Sequence, residues 1–386
     1  MPDSVVTVVR SSHRTGARAA VVVLAAGAVG VLAPTAMGQW SVTNLHPSGS
    51  FQSIASGAGG GLQGGVTSFG AGNRASLWSR TAASRIDLHP AGIASSEILG
   101  MSATQQVGYT RAVGGAPKNA AVWSGTAASW TNLHPAGASA SEARAASGTQ
   151  QVGIATIAGQ DRASLWTGSA GSWIDLNPAG ASASYATATN GSRQFGYSVI
   201  GGQTLASAWS GSAGSWSSFH PTSANASYIF AADASSQGGA VIVGSVVRAS
   251  LWSGTASSWV DLHPAGAGYS TVTGVAAGTQ AGWINVGSDT GPQHAGVWEG
   301  SAASWFDLHS VLPAAFTDSE ARAISTDGSF VYVTGYGFNG DTGRIEALVW
   351  SRPVPAPGAA ALLGLGGFIA ARRRRGRRGS ACAPRA

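Results

Sequence analysis

The chain has 386 residues, 56 of them glycine, and only 10% are charged, against about 25% in an average soluble protein. Sparse charge and fourteen tryptophans exclude a chain held open by its own charge, and the single cysteine, Cys382, excludes an internal disulfide framework or a cysteine-based zinc cage. The formal net charge of +6 sits at the ends: residues 40–351 carry eleven basic side chains against fifteen acidic ones, so the basic balance is no argument for a nucleic-acid partner.

The first predicted element is a signal peptide over residues 1–38. A basic region ends at Arg18, an apolar run spans Ala19 to Leu32, and Ala36 and Gly38 supply the small residues for cleavage before Gln39. Fourteen apolar residues rise about 21 Å as helix, short of the roughly 30 Å hydrocarbon core, so a spanning helix is disfavoured.

From residue 39 to 351 the chain repeats one unit. A Leu-Trp-like doublet ends at Trp78, Trp123, Trp166, Trp209, Trp252, Trp298 and Trp350. A Leu-His-Pro-like motif recurs in step, centred on His46, His89, His134, Asn177, His220, His263 and His309. Two motifs sharing a period near 43 mark a repeat architecture. In residues 141–178 the unit reads as four short segments. Small residues run from Ser141 to Ser147, Gln150 to Ile154 follow, then Ala163 to Trp166, and Ser172 to Leu176 end before Asn177-Pro178. Turn signals between them give an all-β repeat, and four strands per unit give a propeller blade. The small-residue segment belongs innermost, where blades converge. Fourth-strand tryptophans are expected at Trp130, Trp173, Trp216, Trp259 and Trp305, with Val42 and Arg85 in their place in the first two units.

The phase of the repeat predicts closure. The chain enters on a fourth-strand segment, Val42 to His46, and leaves on a third-strand segment, Ala347 to Trp350. The fold class expected is therefore all-β: a seven-bladed β-propeller whose N-terminal strand completes the last blade and removes an exposed edge. A stacked β-solenoid is the alternative, but it does not require complementary half-units at its two ends.

The unit Ser319 to Gly328, then Val331 to Gly335, then Ala347 to Trp350 resembles the extracellular HAF repeat. Across the repeats the usual His-Ala-Phe element is replaced by Arg-Ala-Ser or similar, and the Leu-Gly pair becomes Leu-His-Pro. The resemblance implies an exported repeat protein and says nothing of an activity.

The last predicted element, residues 352–386, has a proline-stiffened spacer with Val354, Pro355 and Pro357, a short apolar run over residues 358–371, and a block at Arg372, Arg373, Arg374 and Arg375. Arginines are held on the cytoplasmic side, so this order leaves everything upstream outside. The tail resembles the PEP-CTERM sorting signal, with Ala356 where that family usually has glutamate. The resemblance implies an exosortase-type sorting enzyme as partner, a Gram-negative source, a membrane-directed C-terminus, and an envelope or extracellular location.

No Walker loop, HExxH, GxSxG or dinucleotide fingerprint occurs, and no cofactor is implied. The six histidines are spread by the repeat around a wide ring, so a turn role is preferred to a metal role. Glu97, Glu142, Tyr185, Tyr228 and Glu320 share one slot, the residue after the first-strand serine, with Ile54 and Thr271 in the other two units. If that strand lines the axis, they form a mixed carboxylate and aromatic ring, the candidate ligand site. Longer connections are expected at residues 285–294 and 335–344. The polar residues look evenly spread, which favours a non-catalytic surface or matrix protein contacting polysaccharide or protein. The competing class is a lyase or glycosidase acting at the channel mouth, which needs convergent acids.

Overall fold

The computed structural model describes residues 39–70 and 72–354. The signal-peptide reading and the tail residues from Pro355 onward, including Pro357 and Arg372 to Arg375, lie outside the described residues.

Seven four-stranded antiparallel sheets form a closed seven-bladed β-propeller. Six blades are consecutive in sequence. Blade one is Gln52–Gly59, Leu62–Ser68, Asn73–Trp78 and Ile86–Asp87. The first strands of the next five are Ile93–Met101, Ala138–Ser147, Ala181–Thr189, Ala226–Ala232 and Ala267–Ala276. Blade seven takes three strands from the end, Phe316–Thr326, Phe330–Asn339 and Arg344–Pro353, and its fourth from the start, Ser41–Asn44. Ser41 pairs with Ser351 and Asn44 with Leu348. Arg352, counted with the basic tail by charge alone, lies in this closing blade, where its Nη2 donates to Glu299 Oε1 at 2.7 Å.

Burial follows from blade-on-blade packing. Middle strands are covered on both faces, as in Leu62–Ser68 and Gln150–Ile157, and carry runs of buried residues rather than alternation. The seven third-strand tryptophans are fully buried. Each lies against the preceding blade. Trp166 of blade three packs on Val107, Val122 and Leu133 of blade two, and Trp78 of blade one packs on Leu45, Ala347 and Val349 of blade seven. A tryptophan hides roughly 200 Å², worth about 5 kcal/mol before entropy is counted. The ring closes with the same contact that joins its other blades.

Two local expectations change. In blades one to six the fourth strand has two residues, as in Ile174–Asp175, and Trp173 and its counterparts precede it at the end of a 3-10 turn, here Ala170–Ser172. That turn is fixed by Ser172, whose Oγ donates to the Ser169 carbonyl at 2.6 Å and accepts from the Thr167 N–H at 2.8 Å. Proline at 178 ends the strand on the other side, because it has no N–H for the ladder. Residues 335–344, expected as a long loop, extend a hairpin instead: two ten-residue strands meet at a four-residue turn, residues 340–343. The connection between Thr279–Val286 and Gln293–Trp298 is a loop as expected.

Strand direction sorts the loops onto two faces. Connections from first to second and from third to fourth strands lie on one face, and Gln39 and Val354 both emerge there. The second-to-third hairpins and the Leu-His-Pro turns lie on the other, distal face.

Candidate functional site

The histidines of the repeat are latches between blades. His134 Nδ1 meets Ser141 Oγ at 2.8 Å, and that same oxygen accepts from the Ala120 N–H at 2.9 Å. Ala120 and His134 belong to blade two and Ser141 to blade three. The arrangement recurs at His46–Ser53, His89–Ser96, His220–Ser227, His263–Ser270 and His309–Ser319. In the remaining blade Asn177 Oδ1 accepts from Ser184 Oγ at 2.6 Å. An aspartate, asparagine or, before His220, Ser218 stands two residues earlier and caps the turn, as where Asp87 Oδ1 accepts from the His89 N–H at 3.0 Å. Burial lowers the pKa of His46, His89, His220, His263 and His309, so the neutral ring is favoured. Among the described residues no group of three histidines, cysteines or acids stands close enough to hold a metal. Sequence reasoning placed these histidines at turns and used the first-strand serine only as a landmark; its spacing of seven residues from the motif in six units, and ten at His309, was the available signal for the pairing.

The first strands line an axial cavity of about 660 Å³, with residues from all seven blades. A smaller cavity of about 200 Å³ adjoins it at blades three and four, and Lys118, Glu142 and Arg144 line both. The slot residues hold equivalent register positions: Glu97 faces Tyr109, Glu142 faces Ile154, Tyr185 faces Tyr197, Tyr228 faces Ala240 and Glu320 faces Tyr336 on the second strand. Just after each slot the first strand carries a β-bulge. A bulge re-aims neighbouring side chains. Its counterpart is a glycine at 65, 108, 153, 196, 239, 282 and 335, where any Cβ would fall on the slot residue's carbonyl oxygen. This ring of close approach was legible as a glycine in every unit and was not read.

Glu97, Glu142 and Glu320 line the axial cavity. Tyr185 lines the smaller one, and Tyr228 lines neither but stacks on Phe230, which faces the axis. The ring is thus divided into sectors, contrary to the even spread expected from the sequence. In blades two and three, Tyr109 donates to Glu97 Oε2 at 2.7 Å, while Lys118 Nζ and Arg144 Nε reach the two Glu142 oxygens at 2.7 Å each. In blade seven, Glu320 accepts from Tyr336 and pairs with Arg322 Nε at 3.2 Å. In blades four and five, Tyr185 and Tyr197 stack with centroids 4.6 Å apart, Tyr197 meets Tyr228 edge-on at 5.0 Å, and Tyr228 stacks on Phe230 at 5.8 Å.

The electrostatics follow from these partners. Burial raises the Glu142 pKa, but Arg144 and Lys118 outweigh it and hold the carboxylate below its usual range. Burial and then Glu97 push the Tyr109 hydroxyl up. Burial and Asp161 push Tyr185 to about 12, and burial and Glu320 push Tyr336 to about 12. These hydroxyls stay protonated and serve as hydrogen-bond donors.

No protein-family model matches the chain, and no curated protein matches it. Solved structures similar to it include TolB from Acinetobacter baumannii, at 8% identity over 76% of this chain and 79% of that one, with a TM-score of 0.42. A putative TolB from Agrobacterium tumefaciens is similar at 9% identity over 66% and 87%, TM-score 0.43. An acylaminoacyl peptidase from Pyrococcus horikoshii is similar at 12% identity over 72% of this chain and 48% of that chain, TM-score 0.45. The propeller topology rests on the strand pairing described above.

Proposed function

We propose that this chain is an exported, membrane-sorted and non-catalytic propeller that acts at the cell surface or in the extracellular matrix as a binding or structural protein. Export and sorting rest on residues 1–38 and on the tail with Val354, Pro355, Pro357 and Arg372 to Arg375. The observation that carries the non-catalytic part is the engagement of the axial carboxylates. Glu97, Glu142 and Glu320 each already hold a tyrosine hydroxyl, a cation or both. A hydrolase or lyase needs a carboxyl or phenol poised to exchange a proton near neutral pH. Tyr185 and Tyr336, at about 12, are poor bases there. Emergence of Gln39 and Val354 on one face also suits a propeller tethered by its end, with the distal face free for a partner.

Mass spectrometry of cell fractions tests this reading. Expected is a product beginning at Gln39, found in the envelope or the medium, with the arginine block removed by an exosortase-type enzyme. An intact tail in the inner membrane overturns the sorting assignment. A cytosolic product retaining residues 1–38 overturns export and the surface role with it.

A further inference from the structure

We propose that the distal mouth of the axial channel binds a neutral saccharide chain, its sugar rings stacked on Tyr185 and Phe230, which Tyr197 and Tyr228 back, and its hydroxyls held by the Glu142–Arg144 and Glu320–Arg322 pairs. This deepens the reading of the protein as a surface binding protein and rests on it.

The repeat itself supplies the argument. What the fold requires, it requires in every blade, and the latch serine and the close-approach glycine recur in all seven. The slot does not. Blade one fills it with Ile54 and blade six with Thr271, so neither a tyrosine nor a glutamate is needed for packing there. Two residues further along the same strand, Ser56 and Thr273 occupy the positions that hold Phe230 in blade five and arginine in blades three and seven. Aromatic side chains at these positions gather in adjacent blades four and five. In a seven-membered ring, blade four lies across from blades seven and one, and blade five from blades one and two. One wall therefore carries a run of aromatic rings; the Glu320–Arg322 pair of blade seven stands across the axis from blade four, and the Glu142–Arg144 pair of blade three stands beside it.

A pyranose matches that division. One of its faces is a patch of C–H bonds that stacks on an aromatic ring, and its edge carries hydroxyls that both donate and accept. Arg144 spends Nε and Nη2 on Glu142, leaving Nη1 to donate to a ligand oxygen. The charged side chains lining the axial cavity are Glu97, Glu142 and Glu320 against Lys118, Arg144 and Arg322, which balance. An ionic ligand gains little from a balanced field and must break existing pairs, whereas a hydroxyl can share them. The volume, about 660 Å³ with about 200 Å³ adjoining, falls within the roughly 300–1,000 Å³ of ordinary ligand pockets. The run of rings bridges the two cavities, with Tyr185 lining the smaller and Phe230 the larger.

The test is calorimetric titration of the full-length protein with cellohexaose, laminarihexaose and mannohexaose as neutral probes, and with hexamers of alginate and polygalacturonate as acidic ones. Expected is saturable binding of at least one neutral probe, weakened about tenfold or more by Tyr228→Thr and by Phe230→Thr. Threonine already occupies both positions in blade six, so these variants keep the fold, and an unchanged melting temperature verifies it. Tyr185→Phe retains the ring face and stays within about threefold. Tighter binding of the acidic probes, or no binding of any neutral one, overturns the proposal. Neutral binding that ignores both threonine variants also overturns it, because the site then lies elsewhere. A protein that fractionates to the surface yet binds no probe leaves the surface role standing and removes only this site.

Discussion

Asn44 donates its side-chain amide to Glu346 Oε2 at 2.6 Å, across 302 residues of chain. The pair sits where the two ends of the propeller meet, and it reverses a pattern found in other blades. In four of the other six the third strand supplies an arginine or histidine and the fourth an aspartate: Arg74–Asp87, Arg162–Asp175, Arg248–Asp261 and His294–Asp307. The closing blade has a buried glutamate on the third strand and an uncharged amide on the fourth. A fourth strand of that kind would bring its aspartate against Glu346, so the reversal favours the N-terminal strand over those four.

Asn44→Asp is expected to destabilise the protein by roughly 1 kcal/mol, because a second carboxylate then stands against the buried Glu346 in a part-buried contact. Adding Glu346→Arg installs the arginine–aspartate pair of blades one, three and five and recovers part of the loss, although Asn339 and Thr342 lose the carboxylate they now donate to. Urea denaturation of the two single variants and the double variant measures the coupling. Purely additive effects would show that the charge reversal has no part in closure.

The glycine ring makes a sharper steric prediction. Gly153→Ala places a methyl group on the Glu142 carbonyl oxygen and near the Ala143 Cα, both backbone atoms that cannot step aside. Overpacking of this kind costs typically 1–3 kcal/mol. Gly171→Ala, where nothing lies within 4 Å and the backbone is unstrained, serves as the control and stays within about 0.5 kcal/mol. Equal melting temperatures for the two variants would refute the close approach.

The period, the strand count and the closure were legible because propeller packing repeats in every blade: a tryptophan needed seven times leaves seven tryptophans. The length of the fourth strand was not, since Ser172-Trp173-Ile174 alternates like a strand while the Ser172 hydroxyl folds it into a turn. The extra residues of the last unit looked like a loop because glycines punctuate residues 335–343, yet they pair as a hairpin with Gly337 opposite Glu346. The slot was recognisable from spacing alone. Its division into an aromatic and a charged sector was not, because it depends on which blades face each other across the axis.

Acidification should loosen the blade latches. Five motif histidines have pKa values lowered by burial, so each binds a proton more weakly folded than unfolded. Their stabilising contribution is fully present above the unfolded value of about 6.5 and is lost as pH falls through the folded values. Expected is a decline in unfolding free energy beginning near pH 6.5, before the carboxylates titrate. His89→Asn borrows the residue that already serves in blade four, where Asn177 accepts from Ser184. It should cost less than His89→Ala and flatten the decline. An unfolding free energy level from pH 7 to 5 would contradict the neutral latch.

Arg85 gives a gain-of-stability prediction. It occupies the fourth-strand tryptophan position, and its Nε donates to Ser76 Oγ at 2.9 Å. Trp173, Trp216 and Trp259 make the same bond through Nε1, to Ser164, Ser207 and Ser250, at 2.9 to 3.0 Å. Arginine therefore reproduces the hydrogen bond but sets a guanidinium where burial opposes charge, which lowers its pKa, and Nη2 stands 3.6 Å from Asp87 with no hydrogen bond of its own. Arg85→Trp keeps the bond to Ser76 and replaces a partly desolvated cation with apolar surface, while Asp87 retains Arg74 at 2.7 Å. The expected gain is about 1 kcal/mol, read as a raised melting temperature. A fall instead would mean that the contact of Arg85 with the Phe69 ring, 4.9 Å to its centroid, and the bond to Thr67 at 3.0 Å outweigh the desolvation.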